Sequence, residues 1–281
     1  MRWHVSAILL GSLLLVLSFG CKPLQVNDLS QRVVASNYRD WSPQFARLPY
    51  ATAEPSGQIR LRNVRNNLYL AENDFVPQYY DRHIEIDDVR TVDFIVVPFQ
   101  GHEYMAHTML SFGLVDGSYL GVSAEIRTEK GEEYSPVLGL SNQYELTYVV
   151  ADERDIIRLR TRHRDADVYL YHTVATPEQS QALFLDVMER VNQLAQKPEF
   201  YHTVSNNCTT NILKHVNRIR QQRLSYNWRV LLPGYSAEYA YEQGMLDTSV
   251  PFEELKERAW INDLAERHFD DPLFSRQIRF R

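Results

Sequence analysis

The stretch HTMLSFGLVDGSYLGVSAEIR, His107 to Arg127, decides the fold. Two apolar runs, His107–Leu114 and Tyr119–Arg127, flank Asp116-Gly117, a pair suited to the positive φ angles of a tight hairpin turn. Working outward, Thr91–Phe99 (TVDFIVVPF) is β-branched and aromatic throughout and predicts a core strand before the hairpin. Gln58–Tyr69 alternates Ile59, Leu61 and Val64 with polar residues, with an irregularity near Asn63. Tyr144–Ala151 and Ile156–Arg162 predict a further strand pair, and Val168–Val174 one more. On that reading Arg158, Arg160, Arg162 and Arg164 form a solvated strand face.

Past residue 175 the period changes. Thr176-Pro177-Glu178-Gln179 combines an N-cap Thr, a Pro at the first helical position and a Gln that closes a capping box. Leu183, Val187, Val191 and Leu194 continue it as an apolar helical stripe to Ala195. A second helix follows Asn206-Asn207 and carries Ile212, Leu213, Val216 and Ile219. Trp228 to about Leu264 reads as helical with loops, punctuated by Pro233-Gly234 and Pro251. Strands first and helices afterwards give an α+β class with an antiparallel sheet packed with helices. The folded domain is expected over 41–264, followed by a C-terminal tail over 265–281.

The start of the chain has another character. Arg2 and His4 precede an apolar run from Val5 to Phe19, and Gly20-Cys21 follows, which is the pattern of a secretory signal over residues 1–20. The run is shorter than the roughly 20 residues that span a bilayer. Leu17-Ser18-Phe19-Gly20-Cys21 is an imperfect bacterial lipobox, so Cys21 is the expected lipid attachment; plain cleavage near Gly20 is the other outcome. Residues 21–40 then read as a tether from the lipid anchor. Lys22 lacks the acidic character of an inner-membrane retention signal, which favours the outer membrane on the periplasmic face. A net charge of -6 excludes the basic face expected of a nucleic-acid binder. The length allows a full-sized core, and no cofactor, metal or disulfide is expected.

The chain has two cysteines, and with Cys21 removed or lipidated, Cys208 stands alone in an oxidising compartment. Either it is a small buried hydrophobe or it is reactive. Its place favours reactivity: directly after Asn206-Asn207 it falls in the first turn of a helix, where free amides and the helix dipole stabilise a thiolate. Those amides could also receive an oxyanion, and the small Thr209 and Thr210 leave them accessible. A thiol nucleophile needs a base. His107 opens an otherwise apolar strand, where an imidazole must be satisfied or used; His172 on an alternating strand is the second choice. The neighbouring strand supplies Ser123 and Glu125 as groups that could orient the base. His102 and His107 mimic a zinc-protease pair, but a separation of five places them on opposite strand faces.

Several blocks together resemble the Lnb N-terminal periplasmic domain family, formerly a domain of unknown function: RNVRN (62–66), HTMLSFG (107–113), AEIRTEKGE (124–132), YVVADERD (148–155), YLY (169–171), NNCTTNI (206–212) and LLPGYS (231–236). The resemblance spans about Trp41 to Asp263 and implies a permuted papain-like fold of the NlpC/P60 type, with the His strand before the Cys helix. It implies a thiol acyl-transfer site with Cys208 as nucleophile and His107 as proton carrier, beside which the residues themselves offer Glu125 as the orienting group. Asn206, Asn207, Ser123 and Tyr171 would be supporting residues, and the substrate a membrane lipid or a lipoprotein. In the acyltransferase of that family a membrane-spanning domain follows; here the chain ends at Arg281, and a lipid on Cys21 would supply membrane proximity. A cysteine amidase or peptidase acting on peptidoglycan peptides uses the same dyad, and a non-catalytic envelope binding module remains the third reading. Arg62, Arg65 and Tyr171 could line a site or buttress the sheet.

Overall fold

In a computed structural model, residues 34–280 are described. The signal reading of residues 1–20, the lipid site at Cys21 and the start of the tether lie outside them. Ten strands run in chain order: β1 (Tyr50–Ala53), β2 (Ile59–Arg65), β3 (Leu68–Ala71), β4 (Asp74–Val76), β5 (Tyr79–Ile84), β6 (Val89–Phe99), β7 (His102–Leu114), β8 (Tyr119–Arg127), β9 (Glu145–Asp152) and β10 (Tyr169–His172). The helices are α1 (Glu153–Arg158), α2 (Pro177–Gln196), α3 (Cys208–Ile219), α4 (Trp228–Leu231), α5 (Ser236–Glu242), α6 (Phe252–Ala259), α7 (Asn262–Arg267) and α8 (Phe274–Gln277). One sheet has the order β1-β2-β9-β8-β7-β6-β10, with β5 also paired to β2, while β3 and β4 form a separate hairpin. Every pairing is antiparallel except a single contact between β2 and β9.

The expected hairpin is β7–β8. Gly117 turns at φ +82°, and Asp116 Oδ1 accepts from the Ser118 amide at 2.9 Å, the local bond that makes Asp-Gly a turn signal. The continuous apolar run in β6 has its reason in the layers. Val92, Phe94 and Val96 face one core while Ile95 and Val97 face another, so this strand is covered on both sides. On the first face α2 lays down Leu183, Phe184, Val187, Met188, Val191 and Leu194 against the sheet. Burying each contributes roughly 1.5–3 kcal/mol. The Thr176–Gln179 capping box forms as read, with the Gln179 amide 3.3 Å from Thr176 Oγ1 and Gln179 Oε1 3.0 Å from the Thr176 amide.

On the second face the reading of Ile156–Arg162 as a strand is corrected. It is α1 followed by a π-turn over Leu159–His163. Asp152 caps α1 by accepting from the Arg154 amide, and the consecutive Ile156 and Ile157 are both buried, which a strand would place on opposite faces. Ile156 sits so close to β8 that a Cβ on Gly121 would meet it at 2.1 Å. Nor is the arginine series solvated as a face: Arg160 is 4% exposed, and Arg158 and Arg162 stack on Phe269. The stretch read as a C-terminal tail packs on the same layer, where Ala265, Phe274 and Ile278 are buried. The irregularity near Asn63 is real, with φ +58° at Asn63 and a bulge between Leu61 and Val64. At the end of the tether segment, Asn37 donates to the carbonyls of Leu194 and Ala195 at the C-terminus of α2. Among the described residues no helix is long and apolar enough to cross a membrane.

Candidate functional site

The site arises where the central hairpin comes apart. β7 and β8 pair from Leu110↔Val122 to Gly113↔Tyr119, and the pairing stops there. Beyond it β7 stays with β6 as far as His107↔Val97 and Ala106↔Pro98, and β8 stays with β9 as far as Arg127↔Glu145. The two central strands therefore diverge over residues 105–109 and 123–127, leaving a split in the sheet. α3 packs on the first face against both strands, with Thr209 Oγ1 3.0 Å from Thr108 Oγ1. His107, one residue from Thr108, projects to the opposite face. The split lets a sulfur at the start of α3 and an imidazole from the far face meet.

Asn207 caps α3: its Oδ1 accepts from the Thr210 amide at 2.8 Å, and Thr210 Oγ1 accepts from the Asn207 amide at 2.8 Å. Cys208 is the first helical residue, 7% exposed, with its sulfur 3.7 Å from Thr209 Oγ1. Burial alone would push the thiol up. The adjacent His107, through charge and a hydrogen bond, together with the Thr108 amide and hydroxyl, outweighs it and brings the thiol down to about 6. The Thr108 amide is a ladder donor released by the divergence of β8. Thr209 and Thr210, read as leaving free amides, are both buried, and the Thr210 amide is taken by the cap.

His107 Nε2 lies 2.6 Å from Ser123 Oγ and 3.7 Å from Glu125 Oε1, both on the strand across the split. Burial would lower the imidazole's pKa, but the thiolate and then Glu125 raise it above the ordinary value. Glu125 in turn is held well below the carboxylate range: burial opposes its charge, and the nearby His107 and the Arg160 guanidinium at 3.3 Å override that. Arg160 also donates to the Ile156 carbonyl at 2.9 Å. Behind it Arg65 and Asp155 form a buried ion pair at 2.6 Å, and Asp155 also accepts from the Asn67 amide. Arg65 is thus a buttress.

Cys208, His107, Glu125 and Arg160 line a cleft of about 530 Å³. Its walls include Tyr134, Tyr201, Phe99 and Leu231, and its polar rim Glu132 and Arg164. Tyr201 is buried, and burial followed by the charge of Cys208 raises its hydroxyl pKa, so it stays protonated. Of the residues singled out in the sequence, Cys208, His107, Ser123, Glu125 and Asn207 converge here. Asn206 stands one step away, donating to the Phe200 carbonyl and accepting from Asn211. Tyr171 does not join them: it is buried on the first face, stacked between Tyr169 and Phe252. The second-choice base His172 bonds Asp93 at 2.7 Å and is not among the cleft residues. His215 is tied to Asp186 and Tyr148. Sequence reasoning missed Arg160, Tyr134 and Tyr201; only the apolar pair Ile156-Ile157 hinted that the arginine series was helical.

The family model for the Lnb N-terminal periplasmic domain matches residues 75–234, more than half of the chain and a span that includes His107, Ser123, Glu125 and Cys208. No curated protein matches the chain, and no solved structure does.

Proposed function

Because the chain belongs to the Lnb N-terminal periplasmic domain family, and so is a periplasmic envelope protein, we propose that it is a thiol enzyme that transfers or hydrolyses acyl groups. One observation carries the reading: a thiol lowered to about 6 in the first turn of a helix, beside an imidazole that Ser123 and Glu125 hold from behind. At neutral pH the resting pair is thiolate and imidazolium. The sulfur attacks the carbonyl carbon of an ester or amide, and a C–S bond forms as the carbonyl electrons move to oxygen. Collapse breaks the bond to the leaving oxygen or nitrogen, which takes the proton from His107. The product is an acyl-thioester with neutral imidazole. An amine or water, deprotonated by that imidazole, then attacks the thioester and expels the thiolate. Tyr201 and the Cys208 and Thr209 amides, which the cap does not take, would be the donors to the developing oxyanion.

The same reading takes the fold as a permuted papain-like one, supported by the order of His strand and Cys helix on a shared sheet. It takes Cys21 as a lipid anchor toward the outer membrane and a membrane lipid or lipoprotein as substrate. The test is intact-protein mass spectrometry after incubation with phospholipid vesicles. The wild type gains one hydroxylamine-labile acyl chain on Cys208, and Cys208→Ala gains none; a wild-type protein that never carries an adduct defeats the proposal. The charged rim formed by Glu132 and Arg164 keeps one rival in view, an amidase acting on peptidoglycan peptides. New termini released from muropeptides by the wild type but not by Cys208→Ala would select it.

A further inference from the structure

A second cavity, of about 430 Å³, lies on the first face of the sheet against α3. Its floor is formed by the buried Phe94, Leu110 and Thr209, and its walls include Leu183, Val216 and Val230. Val174, Gln179 and Gly244, all exposed, mark its mouth together with Arg220. Protein interiors are packed to crystal density and hold few voids larger than a water. Atoms facing such a void lose contacts on one side. The apolar stripe of α3 shows the consequence: Ile212, Leu213, Val216 and Ile219 face the body yet are only half-buried. An apolar cavity of this kind takes apolar ligands, and its volume lies within the range of ligand sites, about 300–1,000 Å³.

The mouth adds a charge. Arg220 follows the last residue of α3; its amide closes the helix on the Val216 carbonyl, and its Nε donates to the Gln222 carbonyl at 3.3 Å. Among the described residues no carboxylate forms an ion pair with its guanidinium. One apolar chamber with one uncommitted cation at its entrance fits an amphiphile with a single alkyl chain and an anionic head. We infer that this cavity binds one alkyl chain of such an amphiphile, with its carboxylate or phosphate held at Arg220. The chain's end rests on Thr209, whose hydroxyl lies 3.7 Å from the Cys208 sulfur, so the occupied chamber adjoins the nucleophile from the side opposite His107. The inference does not require Cys208 to react.

Binding is measured on the wild type and on Cys208→Ala, with palmitate, palmitoyl-lysophosphatidate and the uncharged hexadecanol as probes below their aggregation limits. Saturable one-to-one binding is expected in both proteins, and the tighter of the two anions identifies the head group as carboxylate or phosphate. Arg220→Gln should weaken the preferred anion by about tenfold and leave hexadecanol unchanged. Val216→Trp and Ala240→Phe, which fill the chamber from different walls, should abolish binding of all three while circular dichroism shows a folded protein. Absence of saturable binding in the wild type overturns the inference, as does binding that survives both fillers. A missing acyl adduct on Cys208 bears only on the thiol chemistry, because the binding measurement is made equally on Cys208→Ala.

Discussion

At the scale of single residues, the proposed chemistry rests on how Cys208 and His107 share a proton. A thiol at about 6 beside an imidazole raised above its ordinary value leaves a pH window in which both are charged. The pair titrates as a unit, so the limits of that window belong to the pair. Reactivity toward iodoacetamide should rise with pH through about 6 in the wild type. In His107→Ala the sulfur loses its main stabilising partner, and the rise should move toward the ordinary thiol range near 8.5. A rise still centred near 6 in that variant would mean the helix start alone lowers the thiol. Turnover on an acyl substrate should rise through the same lower limb and fall above the raised imidazole pKa, where no proton remains for the leaving group. Glu125→Gln removes the charge behind His107, so the upper limb should move to lower pH. A merely structural Glu125 would change stability and leave that limb in place.

The helix carrying the thiol is placed by its cap, an effect of one element. Asn207→Ala leaves the Thr210 amide without an acceptor and should cost about 1 kcal/mol, a fall in Tm of about 2–4 °C for a body of this size. Asn207→Asp keeps the acceptor for the Thr210 amide but loses the Nδ2 donor to the Thr203 carbonyl, so it should recover only part of the lost Tm. Its negative charge beside the sulfur should nonetheless raise the thiol pKa, so thermal melts and alkylation profiles would part company. Caps and turns of this kind are legible in sequence because their cause is local. Thr176-Pro177 with Gln179, Asn207 before Cys208 and Asp116-Gly117 each act through bonds within a few residues, and all three stand where they were read. Failures come from elsewhere. In Ile156–Arg162, spaced arginines mimic a strand, and only the packing of α1 on Gly121 and the burial of Arg160 settle its state. The divergence of β7 from β8 is a property of long-range pairing, with no signature in either strand. The pairing of Cys208 with His107 could therefore be expected from residue type, but not the split that lets them meet across a sheet. Tyr134 and Tyr201, from two separate loops, have no local signal at all.

For the whole molecule, the last residues close the second face electrostatically. Arg279 reaches into the sheet layer and pairs with Asp93 at 2.6 Å and Glu153 at 2.5 Å, two carboxylates with no exposed surface. Ser111 donates to Glu153 and His172 bonds Asp93, so strands β6, β7 and β10 and helix α1 are tied through one C-terminal guanidinium, which also lies over Tyr119. Burial opposes the charge of Asp93, yet Arg279 and then His172 hold its pKa below the ordinary value. A carboxylate lowered on folding contributes stability that is present above its unfolded pKa, about 3.9, and is lost as pH falls through the folded value. Arg279→Ala reverses this, since both carboxylates stay buried without their cation. Removing one partner of a buried pair costs about 3–5 kcal/mol, so Tm at pH 7 should fall by roughly 6–20 °C. The sign of the pH dependence separates this from simple loss of packing. Below pH 4 the carboxylates of the variant can protonate, and its deficit relative to the wild type should shrink. A lost side-chain contact would leave the deficit constant with pH. Adding Asp93→Asn and Glu153→Gln to Arg279→Ala should recover part of the loss at pH 7, because the three groups act as one network. Melts across pH 3–8 on these variants decide whether the C-terminal arginine is a charge partner for the sheet or only a weight upon it.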